Sequence, residues 1–344
     1  MGSSSDIVDG TPSSRPGFER VVVLPWQRFV AVACAFFFVL LTLIFGVHAA
    51  LEEGPTGAGI SDAHWRSDIV LALVAAYTVG AGLINIAATT RHLARLRPLF
   101  RHSDREFLAV RDRLFPTPRA ITLAASIGGL VGLALQLSGY LRADRRPIDF
   151  ALHSLPLMIL LFSLLGLMAL FTIRQSRVFM KLGREQIDVD LLDARSLGPF
   201  AGVGLMTAAT WFIGSALASF LMVSESDATV VALVIVVTTG LGIAGLILPS
   251  RGLHGNLKAR KLAELARVRE AIARERVALF EPKSTASMPP RMHAMLAYES
   301  RIENVREWPF DTSTLSRFGL FLLIPLVSWI GGALVERVVD AALG

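Results

Sequence analysis

The chain alternates long apolar blocks, free of Asp, Glu, Lys and Arg, with shorter segments in which the charged residues are crowded. A transmembrane helix needs about 20 consecutive apolar residues, and seven blocks come close to or exceed that length. The predicted spans are residues 29–51, 69–90, 120–141, 150–173, 199–223, 228–249 and 318–335. Apolar and polar residues do not alternate within these blocks, so a β-barrel is not expected. The pattern predicts an all-α fold, a polytopic membrane bundle of seven transmembrane helices.

Composition supports a membrane protein, since 53% of residues are hydrophobic and 18% are charged, against about 25% charged in soluble proteins. Cytoplasmic loops of membrane proteins carry an excess of Lys and Arg. The segments before span 1 and between spans 2 and 3, 4 and 5, and 6 and 7 hold 29 Lys and Arg, and the other side holds 5. The net charges are +11 and −5. We therefore predict a cytoplasmic N-terminus, an external C-terminus and a bacterial-type inner membrane, with no nucleic-acid partner.

The domain organisation follows from these spans. Residues 1–20 are rich in Ser, Gly, Pro and acidic residues and are predicted to be a disordered cytoplasmic tail. Residues 21–249 form the bundle of helices 1–6 with its basic loops, and residues 311–344 form helix 7 with a short external tail. The apolar run of span 1 exceeds the roughly 7–15 residues of a signal-peptide core, so a retained span is expected.

The connection at residues 250–310 is the largest soluble segment and is predicted to be a cytoplasmic αα-hairpin between helices 6 and 7. Its first helix runs from Gly255 to Phe280, a Pro- and Ser-rich break follows at 281–290, and a second helix extends to about Glu307. Apolar residues at helical spacing give each helix one apolar face: Leu265, Val268, Ile272 and Leu279 in the first, and Met292, Met295, Leu296, Ile302 and Val305 in the second. Either a partner protein or the neighbouring helix would cover this face.

The return to the membrane has a sequence typical of a built turn, Trp308-Pro309-Phe310-Asp311. Pro309 ends the preceding helix, Asp311 can cap the next one, and Trp308 and Phe310 suit the headgroup layer. These four residues are either a generic helix-entry turn or a coupling elbow that links the hairpin to span 7.

Small residues recur inside the spans and indicate close helix contacts. The string Thr78-Val79-Gly80-Ala81-Gly82 resembles a potassium-channel filter, but it lies in the middle of a continuous apolar run, where we expect a helix rather than an extended filter loop. The same interpretation applies to Gly128 and Gly132 in span 3. A tightly packed bundle is expected, and a homo-oligomer is a candidate.

Polar groups inside the spans are few. Asn85 falls near the inner end of span 2 and Gln136 toward the outer end of span 3, so no polar assembly is expected at mid-membrane. The candidate cluster lies in the outer half, where five residues occupy similar depth. These are His48, Gln136, His153, Glu336 and Arg337. One interpretation of this cluster is a pH sensor or a metal site. The other is that each residue only occupies the end of its own helix and has no shared role.

Catalytic motifs of soluble enzymes, such as His-Glu-x-x-His, Cys-x-x-Cys, the P-loop and Gly-x-Ser-x-Gly, do not occur in the sequence. The single cysteine, Cys34, excludes an intrachain disulfide. We expect no cofactor, and we expect a non-catalytic membrane protein that engages a cytoplasmic partner or relays a signal through its hairpin. The alternative is an oligomeric passive channel or uniporter, with anions concentrated by the basic side. An intramembrane enzyme acting on lipid is a third class.

Overall fold

The computed structural model describes residues 26–52, 62–101, 103–142, 148–219, 228–279, 290–324 and 327. Regular structure in these ranges is helical, apart from one antiparallel bridge between Phe100 and Ile187. The helices are α1 Trp26–Glu52, α2 Asp62–Arg95, α3 Asp104–Leu114, α4 Pro118–Arg142, α5 Ile148–Lys181, α6 Gly198–Ser219, α7 Ala228–Leu279, α8 Pro290–Glu303 and α9 Thr312–Ile324. The predicted tail at 1–20 lies outside the described residues.

Six of these helices are long and apolar enough to cross a membrane: α1, α2, α4, α5, α6 and α7. The chain therefore has the architecture of a multi-pass helical membrane protein. They match the first six predicted spans, although α2, α5 and α7 extend well past the predicted ends. The predicted seventh span, 318–335, falls largely outside the described residues, and α9 covers its beginning.

Helix α6 is the centre of the bundle. Of the six candidate spans it is buried over the largest share, 67% of its most apolar window, whereas the shares for α1 and α4 are 17% each. Helices α2, α5 and α7 surround α6, while α1 packs on α2 and α4 packs on α5. The outer helices present bare apolar side chains, including Phe38, Leu43, Leu123 and Leu130. Such faces are stable against lipid and not against water, which supports placing α1 and α4 at the lipid boundary.

The helices pack closely through small residues, as the sequence predicts. A Cβ added to Gly128 in α4 would lie 2.1 Å from the carbonyl oxygen of Phe162, and one added to Gly166 in α5 would lie 2.5 Å from that of Ala124. The backbones of α4 and α5 therefore touch directly. Gly80 in α2 similarly meets Ala33 in α1, and residues 78–82 are helical, so the filter-like string is a helix contact.

The segments that join the helices at one end of the bundle share a hydrophobic core, and we call this end the basic end. Buried residues from the end of α2, from α3, from 182–197 and from α7 meet there, among them Leu96, Val110, Ile187 and Leu253. Asp188 binds Arg101 and Arg260 across two of these segments at 2.7 and 3.1 Å. The loops therefore form a packed layer over the bundle.

Helix α3 in that layer was not predicted. Asp104 and Glu106 occupy its first turn, Arg111 and Arg113 its last, and the charges favour a helix through its dipole. Its buried residues Phe107, Val110 and Leu114 have helical spacing. Apolar runs of spanning length do not reveal a short amphipathic helix of this kind.

Helix α7 is one unbroken helix of 52 residues. The predicted boundary at residues 249 and 250 falls inside it, and Pro249 does not end it. The apolar face predicted to begin a separate helix at Gly255 is therefore a direct continuation of span 6. The predicted break at 281–290 lies outside the described residues up to Pro290, where α8 begins.

Candidate functional site

The predicted outer cluster is not assembled by the described side chains. His48 and His153 belong to α1 and α5, but their side chains lie outside the described part of the structure, as do Glu336 and Arg337 altogether. Gln136 is half-buried on α4. The cluster stays a prediction.

One buried carboxylate does lie at the end of the bundle opposite the basic end. Asp68 is 1% exposed and lines a pocket of about 200 Å³ with Leu40, Ile44 and Leu157. It immediately precedes the predicted charge-free span 69–90 and is the first residue of the apolar part of α2. Asp68 is therefore buried in the bundle although it lies just outside the predicted span.

A polar cluster lies between α2, α5 and α6 near the inner end of the predicted spans, and it gives Asn85 neighbours that the sequence analysis did not assign to it. Asn85, Gln175 and Thr207 are each at most 1% exposed. Gln175 Nε2 donates to Thr207 Oγ1 at 2.8 Å, and Asn85 Oδ1 lies 3.5 Å from Thr207 Oγ1. The sequence analysis missed Gln175 because it follows Arg174, where the predicted span 4 had ended. Helix α5 in fact continues to Lys181.

The two amides of this cluster each have one polar end without a hydrogen-bond partner in the described part of the chain, Asn85 Nδ2 and Gln175 Oε1. Exchanging nitrogen and oxygen in either amide leaves one end unpaired all the same, since the neighbouring hydroxyl lies on one side only. A buried unpaired amide end costs about 1–3 kcal/mol. The cluster therefore contains two buried polar atoms whose hydrogen bonds the described residues do not satisfy.

The polar cluster continues toward an apolar cavity. Trp211 Nε1 donates to Thr172 Oγ1 at 3.0 Å, and Tyr77 Oη donates to the carbonyl of Thr210 at 2.8 Å. Tyr77, Thr210 and Trp211 line a cavity of about 60 Å³ between α2, α5, α6 and α7. Trp211 is buried, so its ring packs inside the bundle and its N–H has the partner that a buried indole requires.

At the basic end α8 packs against the distal part of α7, and we call these two segments, 255–279 and 290–303, the arm. Arg269 binds Glu299 at 2.7 Å and also Glu303. Lys261 Nζ donates to the last carbonyls of α8, at Glu303 and Val305, where a cation is favourable.

The predicted apolar face of the arm is largely covered by the arm itself. Its buried members are Leu265, Val268, Met292 and Ile302. Two further leucines remain open, since Leu262 is 58% and Leu296 is 38% exposed. The neighbouring helix is thus the main cover, and the open leucines are the surface left for a partner.

The predicted coupling elbow is a stacked structure. The ring of Trp308 lies 4.2 Å from that of His254 in α7 and 5.7 Å from that of Phe310, nearly parallel to both. His254 Nδ1 lies 3.0 Å from the carbonyl oxygen of Glu307, so Nδ1 carries the hydrogen, because a carbonyl only accepts. Pro309 is half-buried at the bend. The elbow is therefore attached to α7 through a ring stack and a hydrogen bond.

The elbow continues into α9 and the core of the bundle. Asp311 Oδ1 accepts a hydrogen bond from the backbone N–H of Thr314 at 2.7 Å, so its predicted capping role is confirmed. Hydrogen bonds from the side chain and backbone of Thr314 hold the pKa of Asp311 below its usual range. Phe310 and Phe318 pack against the cluster of Ala208, Phe212 and Leu246, and the Phe212 and Phe318 rings are 5.7 Å apart.

Among the described residues, no three His, Cys, Asp or Glu side chains are grouped to hold a metal ion. Comparison of the chain with protein-family models, with curated proteins and with solved structures gives no match.

Proposed function

We propose that the chain is a non-catalytic membrane relay that couples its intramembrane bundle to the arm, which engages a cytoplasmic protein. In this proposal it lies in a bacterial inner membrane with seven spans, a cytoplasmic N-terminus and an external C-terminus. The arm is then the cytoplasmic hairpin between spans 6 and 7. The distribution of 29 basic residues on one side and 5 on the other supports the orientation.

The observation that carries the proposal is the continuity of α7. Its first half lies beside α6 in the bundle and its second half is the longer side of the arm. Fifty-two residues of helix span about 78 Å at a rise of 1.5 Å per residue. Because the helix is continuous, a change in the tilt of α7 inside the membrane therefore moves the arm through nearly the same angle.

The elbow supplies a second connection. Through Trp308 and Phe310 it links His254 on α7 to the cluster that Phe212 of α6 forms with Ala208 and Leu246. The arm is thus attached to the bundle at two places, and its position depends on how α6 and α7 lie against each other. The polar cluster is a suitable point for a change in that arrangement, because Thr207 of α6 bonds the amide of Gln175, and making or breaking this bond changes the energy of the core around α6.

The test is site-specific photo-crosslinking in cells at Leu262 and Leu296, the open leucines of the arm. A discrete protein adduct at these positions, absent when the probe replaces the exposed residue Leu123 on the lipid-facing helix α4, is the expected result. Deleting 255–307 and comparing co-purified proteins is the companion measurement. An identical set of partners with and without the arm, and no adduct, would end the proposal.

The alternative is a passive channel, and the polar cluster favours it because polar groups line ion and water pathways. The cluster and the cavity form an interrupted polar path between α2, α5 and α6. The close contact of Gly204 with Leu246 and of Gly242 with Phe212 closes the α6–α7 seam in this conformation. Ion flux into liposomes that rises with the amount of protein would support the channel, and a flat trace across common ions would remove it.

A further inference from the structure

A groove of about 660 Å³ opens at the basic end between the end of α5 and α7. Lys181, Arg184 and Arg251 contribute cationic side chains to its wall, and Glu185 contributes the one carboxylate. Gly252, Gly255 and Asn256 form its α7 side. A side chain added at Gly255 would meet no atom within 4 Å, so the groove is open at this point.

The cations of the groove differ from the others at this end in how they are paired. Arg101, Arg260 and Arg269 are each bound to a carboxylate within 3.1 Å. In the described part of the chain, Lys181 and Arg251 have no ion pair, and Arg184 has only Glu185 at 4.0 Å. The groove therefore carries a local excess of positive charge that the protein does not neutralise.

The groove lies where the apolar part of α7 ends. Arg251 follows directly after that part, whose last residues are Leu248, Pro249 and Ser250. A Cβ added at the neighbouring Gly252 would overlap the carbonyl oxygen of Met180, which precedes Lys181. Lys181 and Arg251 therefore stand at the same level along α7. With the membrane boundary at the end of the predicted span 6, both cations face the headgroup layer, which is about 5–8 Å thick.

We propose that this groove binds the phosphate of an anionic phospholipid headgroup. Arg251 and Lys181 contact the phosphate from the two helices, and Arg184 closes the outer side. An arginine guanidinium can donate two parallel hydrogen bonds to phosphate oxygens, and a lysine ammonium adds a point charge. The acyl chains of the lipid continue along the apolar surfaces of α5 and α7. The site is independent of the proposed relay function, since it requires only the α5–α7 contact.

The test measures lipid retention by native mass spectrometry of the full-length protein in detergent, titrated with phosphatidylglycerol or phosphatidylcholine. We expect the wild type to bind phosphatidylglycerol more tightly. The triple variant Lys181→Gln, Arg184→Gln, Arg251→Gln should bind it about a hundredfold more weakly, at about fivefold per charge. A matched control, Arg105→Gln, Arg113→Gln, Arg119→Gln, removes three exposed arginines of the same end outside the groove and should change binding little.

A second variant separates the groove from general surface charge. Gly255→Leu keeps every charge and fills the open wall, so it should weaken phosphatidylglycerol binding while leaving thermal stability unchanged. The proposal is overturned if the two triple variants lose the same affinity, or if Gly255→Leu binds as the wild type does. If inorganic phosphate displaces the lipid at equal concentration, the site serves soluble anions and the assignment to a phospholipid is wrong.

Discussion

In the proposed relay, the close crossing of α5 and α7 at Gly252 would act as the pivot of the arm, and Gly252→Ala tests this. A Cβ at Gly252 would lie 1.9 Å from the carbonyl oxygen of Met180. Ordinary contact begins near 3.4 Å, so the helices must separate by about 1.5 Å. The next close contacts of α7 on the bundle side, Leu246 against Gly204 and Gly245 against Thr207, are about 9–10 Å away along the helix.

These distances convert the separation into a movement of the arm. A shift of about 1.5 Å over a lever of about 10 Å tilts α7 by about 9°. The helix continues for about 40 Å from Gly252 to Leu279, so the tip of the arm moves by about 6 Å. The overpacking itself costs about 1–3 kcal/mol of stability.

Distance measurements between two spin labels detect this movement. The labels replace the exposed residues Arg274 on the arm and Arg113 on α3, after the native cysteine is removed by Cys34→Ala. We expect the distance distribution to shift by several ångströms in Gly252→Ala and not in Gly255→Ala, where the added Cβ meets no atom. Equal distances in both variants, with unchanged thermal stability, would refute the pivot and the rigid coupling of α7 to the arm.

Three further predictions concern the polar cluster and the elbow. Thr207→Val removes the acceptor of Gln175 Nε2 and should lower the free energy of unfolding by about 1–3 kcal/mol. Adding Gln175→Met should restore most of it in thermal melts, and additive losses would contradict the pairing. Because the pKa of Asp311 is lowered in the folded protein, its cap should stabilise α9 fully above the ordinary pKa of 3.8 and lose this effect as the pH falls through the lower folded value. Amide exchange of α9 should therefore rise in that acidic range in the wild type. Asp311→Ala, which has no cap to lose, should show no such step. Trp308→Ala removes the stack on His254 and should speed amide exchange in the elbow, while Trp308→Phe should not.

The membrane class was predictable because hydrocarbon imposes a simple rule on sequence. A run of about 20 uncharged residues has few other stable environments, and six predicted spans correspond to long apolar helices. The ends of the helices were less predictable, because a helix can leave the membrane without breaking. Pro249 and the charged residues after it did not end α7, since α5 and α8 cover the emerging helix.

The polar cluster was not predictable for a different reason. Asn85 was visible as a polar residue in a span, but its neighbours come from α5 and α6, and no local pattern pairs these helices. Gln175 was also excluded by a boundary placed at Arg174, whose guanidinium in fact donates to the carbonyl of Phe115. Arg174 lies inside α5 and bonds a neighbouring segment, and it does not mark the end of the helix. In the elbow, in contrast, the capping of α9 by Asp311 follows a local rule and was predicted. The end of the preceding helix was not, because α8 ends at Glu303 and not beside Pro309.

The hydrophobic layer at the basic end imposes an order on biosynthesis. Its members come from residues 93–115, 179–203 and 253–257, so the layer closes only after the ribosome has released the last of them. Until then the earlier helices lie in the bilayer without the hydrophobic layer that joins their loops. The packing of the loops between the first five membrane helices is therefore completed only after the sixth is made. A chain arrested near residue 250 would have its helices inserted in the membrane but would lack this packed layer.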